Sequence, residues 1–365
     1  MYKKKKVLIM TATGSYNLGD EIILSEEVKF LHGHYGEMVD FIIFTHDKKS
    51  AIIQDESLHW VTYFPHGLLS NPFVNIWYLL RNVWLIARAD FMIIGGGGLI
   101  FDNEEGVSFT NLLTQWWFRV KLARLAGTTI VFLGISLEVK QVKNKMQLHK
   151  IFKKGDFIIV RDDKSAGLLD ALEIPCSQIP DLAFLYKPEE KQEKMPEKKR
   201  IGLSFRGGFF GDNETDIPKI YDYLAEKGYD PIFLVHTTEG YENQNDLLFI
   251  RRVMQGKTYN ITSTIEQTLK LYPTLYAVVG MRLHAGILAI THGLPLIMIS
   301  YGPKTDEFVS LIDNKSYTLP PHELSLDSFK KLWEELEKHY EFLKSNSQER
   351  HKTIRADLIN KLRTL

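Results

Sequence analysis

AVVGMRLHAGILAITHGLPLIMISYGPK, Ala277 to Lys304, reads as strand, helix, strand with short joints. Ala277-Val278-Val279-Gly280 is a buried strand running into a tight turn. Met281-Arg282-Leu283-His284 opens a helix over Ala285 to His292, and Gly293-Leu294-Pro295 stops it. Leu296 to Tyr301 is a second apolar strand, and Lys304 follows at once. Parallel sheets are built from such crossover units. Ligands of these sheets bind outside the carboxyl ends of the strands, where Arg282, His284 and Lys304 all fall. A helix N-terminus there adds free N–H groups and partial positive charge. Singly, each of the three reads as a side chain bonding a local carbonyl or carboxylate. Together they describe a cationic pocket around one imidazole, suited to an anionic substrate that exchanges a proton.

The same alternation extends both ways. Upstream, Val7 to Met10 is a strand, Thr11 to Asp20 a polar loop, and Glu21 to Phe30 a helix. This is how a dinucleotide fold begins, but Gly14-x4-Gly19 has neither the G-x-G-x-x-G spacing nor a P-loop lysine. In that loop Asn17 reads as a ligand or loop-ordering residue. Asp20 reads first as an N-cap, with a place in the site as its other role. Strand Phe91 to Ile94 runs into Gly95, Gly96, Gly97 and Gly98. Four glycines in a row cost backbone entropy, so backbone approaching a ligand is preferred over a tight turn packed under another loop. Arg161 ends the strand Phe157 to Val160 and either faces a cleft or pairs with an Asp.

Lys187 to Arg200 is nearly all charge and proline and reads as a linker. The predicted organisation is α/β, with two doubly wound Rossmann-like domains facing a cleft. The first spans residues 1–186. The linker is 187–200, the second domain 201–324, and a helical segment at 325–365 packs back across.

Lys+Arg and Asp+Glu balance at 45 each, so no charge bias points to nucleic acid. The single cysteine, Cys176, excludes an internal disulfide framework and fits a reducing, cytoplasmic setting. No leader segment is evident, since Val7 to Met10 is too short for one. No metal is expected either: His32 and His34 read as surface. Phe73 to Ile100 is interrupted by Arg81, Arg88 and Asp90, too soon to span a bilayer. Its aromatic helix is read as core, with partial contact at the inner face of a membrane as the alternative.

Several of these pieces resemble the polysaccharide pyruvyl transferase family. They are Gly14 to Glu21, Gly95 to Leu99 with Asp102, Arg161-Asp162 with Ser165, Asp181 to Phe184, and Gly280 to Ala285 with Gly293, Pro295, Tyr301 and Lys304. The resemblance implies a fold like the GT-B glycosyltransferases, with residues 1–186 as the acceptor side, and transfer of pyruvate, as a ketal, from phosphoenolpyruvate to a sugar of a cell-envelope or exopolysaccharide precursor. That acceptor would be lipid-linked or nucleotide-linked. It also implies His284 as catalytic residue and Arg161, Arg282 and Lys304 as donor-binding residues, with phosphoenolpyruvate as co-substrate and no cofactor. Asn17, Asp20, Gly95, Gly96, Gly97 and Asp102 are the loop candidates for the acceptor side. Gly134-Ile135-Ser136-Leu137-Glu138 departs from a turn many relatives carry, which leaves acceptor choice open. The rival reading is a GT-B glycosyltransferase with a nucleotide-sugar donor and His284 as base.

Overall fold

The computed structural model describes residues 4–53, 55, 58–62, 72–101, 109–139, 141–188 and 196–364. The chain divides into two compact units. One holds residues 1–15, 20–182 and 361–365; the other holds 16–19 and 183–360. The unit boundary thus falls at Leu182/Ala183, just before the charged stretch, of which residues 189–195 lie outside the described set.

The first unit runs β1 (Lys5–Met10), α1 (Leu18–Tyr35), β2 (Val39–Thr45), β3 (His59–Thr62), α2 (Pro72–Ala87), β4 (Phe91–Phe101), α3 (Phe109–Leu125), β5 (Thr129–Glu138), α4 (Val142–Phe152), β6 (Phe157–Val160), α5 (Asp163–Asp170) and β7 (Ser177–Gln178). Its sheet is parallel, in the order β3-β2-β1-β4-β5-β6-β7. The inner strands are near-continuous apolar runs because helices cover both faces: Leu8, Met10, Met92, Ile94, Ile130 and Phe132 are all buried.

The second unit runs β8 (Arg200–Ser204), α6 (Asp216–Glu226), β9 (Asp230–Phe233), α7 (Asp246–Val253), β10 (Asn260–Ile261), α8 (Ile265–Leu271), β11 (Leu275–Gly280), α9 (Leu283–Thr291), β12 (Leu296–Ile299), α10 (Pro303–Leu311), β13 (Thr318–Leu319), α11 (Leu326–Lys338) and α12 (Tyr340–Arg363). Its parallel order is β10-β9-β8-β11-β12-β13. The strand order reverses between β8 and β11, a topological switch point. The opening stretch of sequence is therefore β11-α9-β12-α10, beside that switch. The helical segment expected over 325–365 is two helices, parted at His339. The end of α12, from Lys361, is grouped with the first unit.

The glycine run is not a loop. Gly95 to Gly98 lie inside β4, with Gly95, Gly97 and Gly98 opposite Leu133, Ile135 and Ser136 of β5. A Cβ on Gly95 would sit 1.9 Å from the Leu133 carbonyl oxygen, and one on Gly96 would sit 2.5 Å from Ile23 Cγ2. Close packing by β5 and α1 accounts for both glycines. The residues around Gly134, expected to differ from a turn, continue β5 to Glu138.

Glu27 of α1 is the odd group in this core. Its side chain is buried, and neither carboxyl oxygen has a hydrogen-bond partner among the described residues. Burial alone pushes its pKa up to about 8. The folded chain therefore holds the proton more tightly than the unfolded chain does. The resulting stability is complete below the ordinary value of 4.5 and is lost as pH rises through about 8. The shift corresponds to roughly 5 kcal/mol. A Glu27→Gln chain is expected to match the parent in thermal midpoint near pH 4.5 and to exceed it progressively up to pH 8. A difference that stays flat over that range overturns the assignment.

Candidate functional site

The carboxyl edge of the second sheet collects polar groups from four neighbouring strands. β9 leads to His236 and Thr237, β8 to Arg206, β11 to Arg282 and His284, and β12 to Tyr301 and Lys304. Asp246, at the start of α7, ties two of these ends together. Its Oδ2 accepts from the backbone N–H of His236 at 2.9 Å and of Thr237 at 3.1 Å. Its Oδ1 accepts from Arg282 Nε at 3.0 Å and Nη2 at 2.5 Å. Arg282 Nη2 also donates to the Gln244 carbonyl. Burial pushes the Asp246 carboxyl upward, and the Arg282 charge, with these hydrogen bonds, pulls against it. Removing one partner of such a pair costs about 3–5 kcal/mol.

Arg282 is thus committed on one edge of its guanidinium, with the side chain 14% exposed. Nη1 is the nitrogen left for an anion. The helix begins one residue later, so His284 sits in the first turn of α9, as read from sequence. Lys304 lies in the first turn of α10. The turn before it is fixed by Thr305, whose Oγ1 accepts from the N–H of Tyr301 and of Gly302.

His284 is set in place by a segment from far away in sequence. Residues 16–19 belong to the second unit. Asn17 bridges Thr237 in antiparallel fashion, Leu18 N–H donates to the His236 carbonyl at 2.8 Å, and Thr238 N–H donates to the Tyr16 carbonyl. Asn17 Oδ1 accepts from Gly19 N–H at 3.0 Å, immediately ahead of α1. Asn17, not Asp20, is therefore the capping residue, and Asp20 stands in the helix's first turn. Gly19 presses on the imidazole: a Cβ there would lie 1.9 Å from His284 Nδ1 and 2.3 Å from Cγ. Asn17 thus orders a loop that lies against His284.

His236 is buried beside this centre. Its Nδ1 faces the Leu234 carbonyl at 3.2 Å and Ser204 Oγ at 3.1 Å, and its Nε2 faces the Tyr272 hydroxyl at 2.9 Å. A carbonyl only accepts, so Nδ1 carries the hydrogen and Nε2 accepts from tyrosine. Burial, then the Arg282 charge, lowers its pKa to about 3, which keeps it neutral. It is a packing and orienting residue.

Sequence reasoning passed over Arg206. It lies two residues past the end of β8, next to the switch point, and obeys the same strand-end rule that singled out Arg282. Its guanidinium lies over the rings of Phe209 at 5.0 Å and Tyr301 at 5.3 Å, and those rings are 4.6 Å apart. Its Nε is buried with no hydrogen-bond partner among the described residues.

The remaining candidates lie in the first unit. Arg161 Nη1 pairs with Asp181 Oδ2 at 2.5 Å, both largely buried. Asp162 caps α5, accepting from Ser165 N–H and from the hydroxyls of Ser165 and Ser136. Ser165 Oγ in turn accepts from Leu137 N–H. The Arg161-Asp162-Ser165 pattern thus fastens β6 and α5 to β5. Asp20 Oδ1 lies 2.9 Å from where a Cβ on Gly97 would be. Asp102 lies outside the described residues. Among the described residues no cluster of His, Cys, Asp and Glu is arranged to hold a metal ion.

A family model described as Polysaccharide pyruvyl transferase matches residues 17–303. No curated protein matches the sequence. Solved structures similar to this chain include a glycosyltransferase from Rickettsia africae, at 12% identity over 100% of this chain and 98% of that one, TM-score 0.59. Another is Anabaena HepE in complex with UDP-glucose, at 13% identity over 99% and 100%, TM-score 0.59. A third is UDP-GlcNAc 2-epimerase from Neisseria meningitidis bound to UDP-GlcNAc, at 10% identity over 98% of each chain, TM-score 0.60. These likenesses place the fold among GT-B glycosyltransferases and epimerases.

The contact between Gly19 and His284 gives a direct test. Gly19→Ala is expected to leave both sheets folded but to move the imidazole, seen as a changed His284 ring resonance. Transfer activity should fall about 10²-fold, the usual effect of misplacing a reacting group by about 1 Å. An unchanged resonance and rate would overturn the positioning role.

Proposed function

Because this chain belongs to the polysaccharide pyruvyl transferase family, we propose that it moves pyruvate from phosphoenolpyruvate onto two hydroxyls of a sugar. The acceptor is a lipid-linked or nucleotide-linked precursor of a cell-envelope polysaccharide or exopolysaccharide, and the product is a ketal. The observation that carries this reading is the grouping of Arg282, His284 and Lys304 at one carboxyl edge, with Arg206 beside them.

Phosphoenolpyruvate carries carboxylate and phosphate charges close together. Lys304 offers a point charge and Arg282 the Nη1 edge that Asp246 leaves over, while the N-termini of α9 and α10 add N–H groups. Arg206, lying over two adjacent aromatic rings, offers a further guanidinium. Arg161, whose Nη1 pairs with Asp181 in the first unit, is left out of this set.

His284 acts as general acid. It gives a proton to the enol methylene carbon, which becomes methyl, while a sugar hydroxyl bonds to the neighbouring carbon. A second sugar hydroxyl then bonds to that carbon and phosphate leaves. The sugar loses two hydrogens: one restores the imidazole and the other leaves with phosphate. An imidazole suits this work because its ordinary pKa lies near neutrality.

Mass spectrometry of candidate sugar acceptors incubated with phosphoenolpyruvate checks the proposal. The expected result is one pyruvate ketal per acceptor with one phosphate released. His284→Ala should lower the rate about 10²–10⁴-fold, and Lys304→Gln should raise KM for phosphoenolpyruvate. Full activity in His284→Ala overturns the mechanism. Thermal stabilisation by nucleotide sugars and not by phosphoenolpyruvate overturns the donor in favour of glycosyl transfer.

A further inference from the structure

The helix α2 turns its apolar side chains outward. Ile76, Trp77, Leu80 and Trp84 are 52, 57, 61 and 51% exposed. The side it buries is narrow and carries Asn82 with Ile86. This corrects the sequence reading of a core helix: the aromatic residues that suggested burial are the exposed ones. α3 packs beside it and adds exposed Phe118 and Leu125.

The charged residues of α2 and α3 are all basic. No Asp or Glu occurs from Pro72 to Ala89. Arg81 lies over the rings of Trp77 and Tyr78, and Arg88 and Lys6 lie over Trp84 at 4.9 and 5.9 Å. On α3, Arg119 and Lys121 lie over Trp116 and Trp117. A cavity of about 440 Å³ adjoins the end of α2, lined by Lys5, Arg88 and Asp90 among others. Asp90 is already held there by Lys5 Nζ and the Lys6 N–H.

An exposed apolar face of this kind marks an interaction surface. Tryptophan rings and arginines at its margin are what a membrane–water boundary favours, and the basic side chains of α2 and α3 match anionic headgroups. A second copy fits less well, because a two-fold interface would set the same arginines against one another. We propose that the α2 face lies in the surface of a membrane bearing anionic lipid, as a peripheral contact. Among the described residues no helix is long and apolar enough to cross one. The inference is independent of the donor and of His284.

The test is co-sedimentation of the full chain with vesicles of phosphatidylcholine alone and of phosphatidylcholine with phosphatidylglycerol. The chain is expected to pellet with the anionic vesicles and to be released by salt. Trp77→Ser/Leu80→Ser/Trp84→Ser should reduce the bound fraction about tenfold or more, and Arg88→Glu alone should weaken binding to the anionic vesicles. No pelleting with either vesicle overturns the proposal, as does binding that both variants retain. So does a concentration-dependent dimer, seen by sedimentation velocity, that the triple variant abolishes, for then a second copy covers the face.

Discussion

One buried carboxylate organises the candidate site. Asp246 takes hydrogen bonds from the end of β9 and from the arginine that follows β11. β8 lies between those two strands in the sheet, so the bond spans the switch point. A charge this deep survives only if it is fully paired, and the pairing fixes the backbone on both sides. His236 is held at one end and the start of α9 at the other. The imidazole of His284, two residues past Arg282, inherits a fixed origin.

That arrangement divides the cations by what they can still do. Arg282 is partly consumed by structure, and Arg161 pairs with Asp181 through Nη1. Lys304 stands at a helix start whose preceding turn is braced by Thr305. Arg206 is braced by aromatic faces, which keep a guanidinium extended without cancelling its charge. Residues 16–19 complete the set by laying their backbone against His284, which requires glycine at position 19. A loop chosen for phosphate contact would expose its N–H groups. This one spends two of them, Leu18 and Gly19, on the His236 carbonyl and Asn17.

The strand–helix–strand character of Ala277 to Lys304 was legible because apolar runs, breakers and a helix start follow each other at the spacing a parallel sheet requires. The same local rules found β6, α8 and the edge on which His284 and Lys304 lie. They do not account for Gly95 and Gly96 of β4, which lie under close packing by β5 and α1, because sequence does not reveal which backbone passes at 1.9 Å. They placed the cap at Asp20 because the antiparallel bridge to Thr237 that begins α1 earlier lies over two hundred residues away. Arg206 was open to the same strand-end rule but had no helix start to single it out.

Local pattern alone therefore determined the kind of fold, its strand ends and the residue types gathered there, since periodicity and breakers act over a few residues. Tertiary structure decided which charges remain available, which glycine must stay bare, and that the tryptophans of α2 face outward. Those outcomes depend on partners distant in the chain, and a side chain's burial or pairing is a property of what the fold brings against it.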